Sequence, residues 1–422
     1  MGAAVQKPVR ILIILFVVSL VARLLFGILF VGLDTPPEGD AGTYDQIAHN
    51  MITEGKYIQY HGQGVWLSFR PPLLPLILAG LYSIVGYSFT ASRLLMIVIG
   101  SLVPLLVFAL ADRIFGRKAA LVAGGISAVW PEFILYSNTL HTETPLVLLA
   151  LLQLIFLARF ADGRRTRDIC AAGIVAGLGC LCRPTIFAFV LVAVVWLFII
   201  TRRDLRLALR AAAIYVILTA LVIAPWTYRN YRVHGRLVPI TSRSGTTLWL
   251  GNNKDATGNI GDDYDKLRRM LPDAGTDDEV EASSYHRQEA LRFIRANPVR
   301  FVAFGIKKTI HFWRPVGFRF PGMVDRISAR TRIAVGFLPY IPIFLLFLVG
   351  LLILLKQLKL FRDQRLLLLF LIIIVYTLAH AVYTAMPRYR QPIEPITIII
   401  GSWALVVILE AWRKRRQIQA AG

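Results

Sequence analysis

The sequence predicts an all-α polytopic membrane protein, a bundle of transmembrane helices with further helices along its outer face. Three observations predict it. Of 422 residues, 56% are hydrophobic and only 17% charged, too apolar for an ordinary soluble enzyme of that length. Apolar runs approaching the roughly 20 residues that cross a bilayer as a helix recur along the chain. The basic residues behind the net charge of +22 sit in short runs between those apolar stretches. That placement is topological and argues against nucleic acid as a partner, since a polyanion-binding chain gathers its charge on one face. Cys170, Cys180 and Cys182 lie in or beside apolar segments without metal-ligand spacing, which argues against a disulfide scaffold or a zinc site.

The first apolar run, Ile11 to Leu33, is longer than the apolar core of a signal peptide and lacks a small-residue cleavage site, so it reads as a retained helix. Lys7 and Arg10 place its start in the cytoplasm. Ten further segments follow: Leu73 to Gly86, Leu94 to Ala111, Ala119 to Tyr136, Thr144 to Ala161, Ile169 to Leu181, Thr185 to Ile200, Ala208 to Ala224, Val335 to Leu355, Leu366 to Met386 and Ile393 to Ala411. Basic clusters at Arg113 to Lys118, Arg164 to Arg167, Arg202 to Arg206, Lys356 to Arg362 and Arg413 to Arg416 mark cytoplasmic ends. Counting from the two termini disagrees by one crossing, so one of the segments before Trp226 does not span. Leu73 to Gly86 is the candidate, being about 21 Å long as a helix and following Pro71 and Pro72; it is either re-entrant or joined to its neighbour.

This divides the chain into a transmembrane module over 1–225 with a first outer loop at 34–70, an outer region over 226–332, and C-terminal transmembrane helices with a basic tail over 333–422. The first outer loop carries a helical stretch from Ala41 to Glu54, with Asp40 placed to cap it and Gly55 to end it. The second outer region holds eleven of the 25 acidic residues, between Asp255 and Asp325. Its later part has the spacing of amphipathic helices, Tyr285 to Ala296 and Val299 to Trp313, separated by Asn297 and Pro298. Arg292, Arg295, Arg300, Lys307 and Lys308 oppose Phe293, Ile294, Phe301, Phe304 and Phe312, the pattern of helices lying in a membrane interface.

Ionisable residues collect at the outer ends of apolar segments: Asp40, Arg70, Glu143, Arg183, Arg229, Arg388 and Arg390. Charges at membrane depth face a cavity or one another. Arginines around such a cavity suit a phosphate, because guanidinium forks bind its oxygens bidentately and keep their charge when desolvated. A carboxylate beside them serves as a general base. Together they describe a site where a lipid phosphate leaves and a hydroxyl attacks. The plain readings compete: Asp40 as a helix cap, Glu143 as a first-turn acid, the arginines as headgroup-seeking side chains, Tyr376 and Tyr383 as an aromatic belt. His61, His234, His286, His311 and His380 show no ligand spacing.

Six motifs in order resemble a known family: G-D-A-G-T-Y from Gly39 with R-P-P-L-L-P from Arg70, L-H-T-E-T-P-L from Leu140, G-L-G-C-L-C-R-P from Gly177, P-W-T-Y-R-N-Y from Pro225, G-N-N from Gly251, and R-Y-R-Q-P-I-E-P from Arg388. The chain resembles the GT-C glycosyltransferases, in the branch of protein O-mannosyltransferases and aminoarabinose transferases. The resemblance implies a GT-C-like helix bundle, a polyprenyl-phosphate sugar donor, an outward-facing site and inversion at the anomeric carbon. It implies catalytic roles for Asp40 and Glu143, and donor contacts from Tyr44, Arg70, Arg183, Arg229, Asn230, Arg388, Tyr389 and Arg390. The acceptor is a lipid, glycan or protein, and the expected location is a bacterial cytoplasmic membrane. Some relatives bind a metal through an acid just before the basic residue that ends the first loop. Phe69 stands there in this chain, so no metal is expected at that position and a divalent cation lacks support from ligand spacing. The competing function is a transporter or flippase of an anionic lipid or solute, which calls for two related halves with interrupted helices; no such symmetry is present in the sequence.

Overall fold

The computed structural model describes residues 2–61, 64–258, 266–267, 269–315 and 329–421. Helix α1 (Gly2–Phe26) has no charge between Arg10 and Arg23 and continues through one wider turn, Gly27–Val31. Arg23 is fully buried and donates to the carbonyls of Ser19 at 3.1 Å and Ala128 at 3.0 Å, so it braces the bundle.

The segment after α1 folds as α2 (Gly39–Thr53), a two-stranded antiparallel hairpin β1 (Gln59–His61) and β2 (Gly64–Trp66), and α3 (Leu73–Val85). Ala41, Tyr44 and Ala48 pack α2 against Leu74, Leu78 and Tyr82 of α3. The expected cap is corrected here. Glu38 holds the N-cap position in extended geometry and Asp40 stands within the first turn, where its carboxylate is free to reach across the loop. Helix α3 has 13 residues, about 20 Å.

Next come α4 (Phe89–Phe115), α5 (Arg117–Ala128), α6 (Pro131–Ser137), α7 (Glu143–Gly163), α8 (Thr166–Cys182), α9 (Phe187–Ile200) and α10 (Leu205–His234). Helices α5 and α6 are bent by 49° at the break between them, which falls where Pro131 disfavours helical geometry in the residue before it. Gly173 and Gly177 of α8 allow α10 to lie close. A Cβ at Gly177 would stand 2.6 Å from Cβ of Val222 and 2.9 Å from the Thr219 carbonyl, and Thr219 Oγ1 donates to the Gly173 carbonyl at 3.0 Å. This is the small-residue spacing that brings membrane helices into backbone contact. Helix α10 passes unbroken through residue 225, where the sequence places a domain boundary.

The region over 226–332 contributes α11 (Ser244–Gly251), α12 (Glu279–Ala296) and α13 (Pro298–Trp313). The acidic residues Asp262, Asp263, Asp265 and Asp325 lie outside the described residues. Val299, Val302, Ile306 and Ile310 form an exposed apolar face on α13, while Phe304 and Phe312 turn inward. Lys308 departs from its expected place on the polar face. It is buried, and its ammonium donates to Asn252 Oδ1 at 3.0 Å and the Val382 carbonyl at 3.3 Å. Gly251 docks α11 onto the bundle so closely that a Cβ there would lie 1.8 Å from the Tyr383 carbonyl oxygen. Gly251→Ala is therefore expected to lower stability by about 1–3 kcal/mol, the range for overpacking, and to expose this region to protease; wild-type thermal unfolding and digestion would show that the contact is dispensable.

The C-terminal part is α14 (Ala329–Lys356), α15 (Lys359–Arg362), α16 (Gln364–Val382) and α17 (Glu394–Ala421), with a 3-10 turn, Pro387–Arg390, before α17. Helix α17 packs on α5 and α14, while α16 packs on α9 and α13. Among the described residues, seven helices are long and apolar enough to cross a membrane, and the α5–α6 pair makes an eighth if taken as one span. The chain is an integral membrane protein with an all-helical bundle.

Candidate active site

Prolines set the arginines of the site. Arg183 follows the last residue of α8, and because Pro184 comes next its backbone is extended, φ −157° and ψ 122°, which turns the side chain away from the helix axis. Pro71 follows Arg70 in the same way, and Pro387 starts the 3-10 turn that carries Arg388 and Tyr389. Glu143 opens α7, where the helix dipole favours an acid.

These elements bring seven of the expected residues together. Asp40 Oδ1 accepts from Arg70 at 2.6 Å and Oδ2 from Arg388 at 2.8 Å. Glu143 accepts from Arg183 at 2.9 Å, and the Nε of Arg388 stands 3.9 Å from the same oxygen, so Arg388 bridges the two acids. Arg70 lies over the Tyr44 ring at 5.2 Å and Arg183 over Tyr389 at 4.4 Å. The Glu143 side chain is 3% exposed, whereas 26% of the Asp40 side chain is open to an incoming molecule.

Three arginines face two carboxylates in this cluster, and Arg243 adds to the positive field on both Asp40 and Tyr389. Partial burial opposes ionisation of Asp40, yet Arg70 and then Arg388 hold its carboxyl well below the usual carboxylate range. The Tyr389 phenol gives the clearer sign. Burial pushes it up, but Arg388, Arg183 and Arg243 outweigh burial and draw it below its ordinary value. A buried phenol that ionises more easily marks a place that favours an anion.

Three expected contacts are placed elsewhere. Arg229 spends its guanidinium on the carbonyls of Leu67 at 2.7 Å and Tyr57 at 3.0 Å and on Ser68 Oγ at 2.9 Å. Asn230 is fully buried, accepting from Ser68 Oγ and donating to the Val238 and Ile240 carbonyls. Both clamp the strand that leads to Arg70. Arg390 is also fully buried: its Nε meets Glu394 at 2.5 Å, its Nη1 the Phe312 carbonyl at 2.8 Å, and its Nη2 Glu132 at 3.5 Å. It anchors the turn carrying Arg388, and its side chain is fully buried away from the Asp40 cluster.

Arg243 and Glu279, which the sequence did not single out, pack against the segment that leads to Arg70. Arg243 lies over the Phe69 ring at 4.9 Å, and Glu279 accepts from the Ser68 amide at 2.7 Å. Tyr376, expected in an aromatic belt, is 1% exposed and donates to the Tyr389 carbonyl at 3.2 Å. Phe69 stacks on Trp66 at 4.0 Å, which makes its position an aromatic surface without a metal donor. Among the described residues, no three His, Cys, Asp or Glu side chains form a ligand set.

The bundle has a GT-C-like fold, shown by its likeness to solved structures. Residues 69–228 match the family model of the dolichyl-phosphate-mannose-protein mannosyltransferases, a stretch that carries Arg70, Glu143 and Arg183. The archaeal oligosaccharyltransferase AglB from Archaeoglobus fulgidus, solved with an inhibitory peptide and a dolichol-phosphate, aligns over 100% of this chain and 52% of its own, with a TM-score of 0.64 and 14% identity. The same enzyme in its apo form aligns over 98% of this chain and 52% of its own, at 0.62 and 13%. ArnT from Cupriavidus metallidurans bound to undecaprenyl phosphate aligns over 96% of this chain and 78% of its own, at 0.45 and 16%. The chain thus spans about half the length of the oligosaccharyltransferase whose fold it shares. No curated protein sequence matches the chain.

Proposed function

We propose that the chain is an integral membrane glycosyltransferase that moves one sugar from a polyprenyl-phosphate donor to an acceptor hydroxyl, by a single inverting displacement on the outer face of the membrane. The observation that carries this reading is Arg388 bridging Asp40 and Glu143 within an arginine-rich cluster. The dolichol-phosphate held by AglB and the mannosyltransferase-like stretch at 69–228 support the donor class.

In the resting site Asp40 is a poor base because Arg70 and Arg388 stabilise its charge. A donor phosphodiester entering the cluster shares those arginines and restores basicity to Asp40. The acceptor hydroxyl then attacks the anomeric carbon, its proton passes to Asp40, and the bond from that carbon to the phosphate oxygen breaks. The leaving phosphate gains one negative charge in the process. Arg70, Arg183 and Arg388 stabilise that charge, so the leaving group depends less on a general acid. Glu143 holds Arg183 and steadies Arg388. Tyr44, under Arg70, borders the same space.

Topology supports the outer face. If α3 is excluded, the α5–α6 pair counted once, and α8 and α9 counted as crossings, the two termini fall on one side with the basic clusters, and the site falls on the other. The exposed apolar face of α13 suits a helix resting on the membrane surface. The reaction's stereochemistry tests the proposal. The product is expected with the anomeric configuration opposite to that of the donor, read by nuclear magnetic resonance; retention would require a covalent intermediate and would overturn the single displacement.

A further inference from the structure

A charged cavity lies at the other end of the bundle from the candidate active site. Helix α7 runs from Glu143 in the candidate active site to Asp162 in this cavity, about 28 Å away along the helix. The cavity has a volume of about 660 Å³. Its apolar floor is Phe115 at the end of α4 and Trp403 of α17, whose rings stack at 4.8 Å. Its rim carries Lys359, Arg362, Asp363 and Arg365 from the α14–α16 connection.

The two acids of the cavity are already neutralised. Asp363 takes Arg365 at 2.7 Å, and Asp162 takes Arg113. Arg365 also donates to the Arg113 carbonyl at 2.6 Å, which fixes the wall. Lys359 and Arg362 have no carboxylate partner among the described residues; the Lys359 ammonium lies over Trp403, 5.9 Å from the ring centre. Two unmatched cations above an aromatic floor, between spans and beside the basic ends of the helices, fit a phosphate with an apolar body beneath it.

We propose that this cavity binds the phosphate headgroup of an anionic membrane lipid, with Lys359 and Arg362 on the phosphate and Phe115 and Trp403 under the glycerol and upper acyl carbons. The volume accommodates a headgroup. The aromatic floor favours a lipid-borne phosphate over a soluble one, and the site is separate from the proposed donor site and independent of the transferase reading.

The test uses the full chain, delipidated in detergent and titrated by native mass spectrometry with phosphatidylglycerol, phosphatidylcholine and inorganic phosphate. The expected result is a preference for phosphatidylglycerol over phosphatidylcholine on the order of thirtyfold, the factor given by two surface cations. The variant Lys359→Gln/Arg362→Gln loses that preference, while Lys414→Gln/Arg415→Gln, which removes equal charge from the exposed tail, keeps it. Equal binding of the two lipids, or an unchanged preference in the first variant, overturns the site. Displacement of phosphatidylglycerol by inorganic phosphate at comparable concentration assigns the cavity to soluble phosphate and overturns the lipid.

Discussion

Asp40→Asn is expected to leave the protein folded and to lower the rate of sugar transfer by about 100- to 10,000-fold, the range for loss of a positioned general base. The amide keeps the shape of the carboxylate but cannot accept the acceptor's proton. Donor affinity is expected to hold or to rise, because a neutral side chain at this position no longer competes with the donor phosphate for the guanidinium groups of Arg70 and Arg388. That division, with turnover lost and donor binding kept, separates a base from a residue that merely shapes the loop. A helix cap would give neither effect, and the structure places Glu38 at that position.

Arg390→Met is expected to destabilise the protein by about 3–5 kcal/mol, the cost of breaking a buried ion pair by removing one partner. Arg390 and Glu394 have fully buried side chains, and Glu132 is 8% exposed; Gln391 donates to Glu132 at 2.5 Å. Without the guanidinium, two carboxylates remain beside each other with one neutral donor. The turn at Pro387–Arg390 carries Arg388 and Tyr389, so transfer activity is expected to fall with stability. The triple variant Glu132→Gln/Arg390→Met/Glu394→Gln removes the unpaired charges and is expected to recover most of the unfolding temperature. Thermal unfolding in detergent reads both, and a single variant as stable as wild type would remove the network from the account.

Much of this was legible in the sequence because a membrane restricts the choices. Apolar length and the placement of arginine and lysine located the long helices, seven of which are long and apolar enough to cross, while Leu73 to Gly86 folds as a short helix of 13 residues. Asp40, Arg70, Glu143, Arg183 and Arg388 were visible as charges at the outer ends of apolar runs, and they come together. What one dimension hides is which partner a charge finds. Arg229 and Arg390 carry the same signal as Arg183, yet backbone carbonyls and Glu132 with Glu394 engage them first. Arg243 and Glu279 sit in the long region over 226–332, where no periodicity relates them to Phe69 or Ser68. The hairpin at Gln59–Trp66 is too short to register against its helical surroundings.

The most direct measurement of the central claim is release of free polyprenyl phosphate from a panel of radiolabelled polyprenyl-phosphate sugars, by the purified protein in lipid, beside the Asp40→Asn variant. The account expects one donor class to be turned over by the wild type and release to be lost in the variant, with donor still bound. Release unaffected by Asp40→Asn, or labelled lipid crossing the bilayer with no donor cleaved, would contradict it, and the second outcome would put a lipid transporter in place of the transferase.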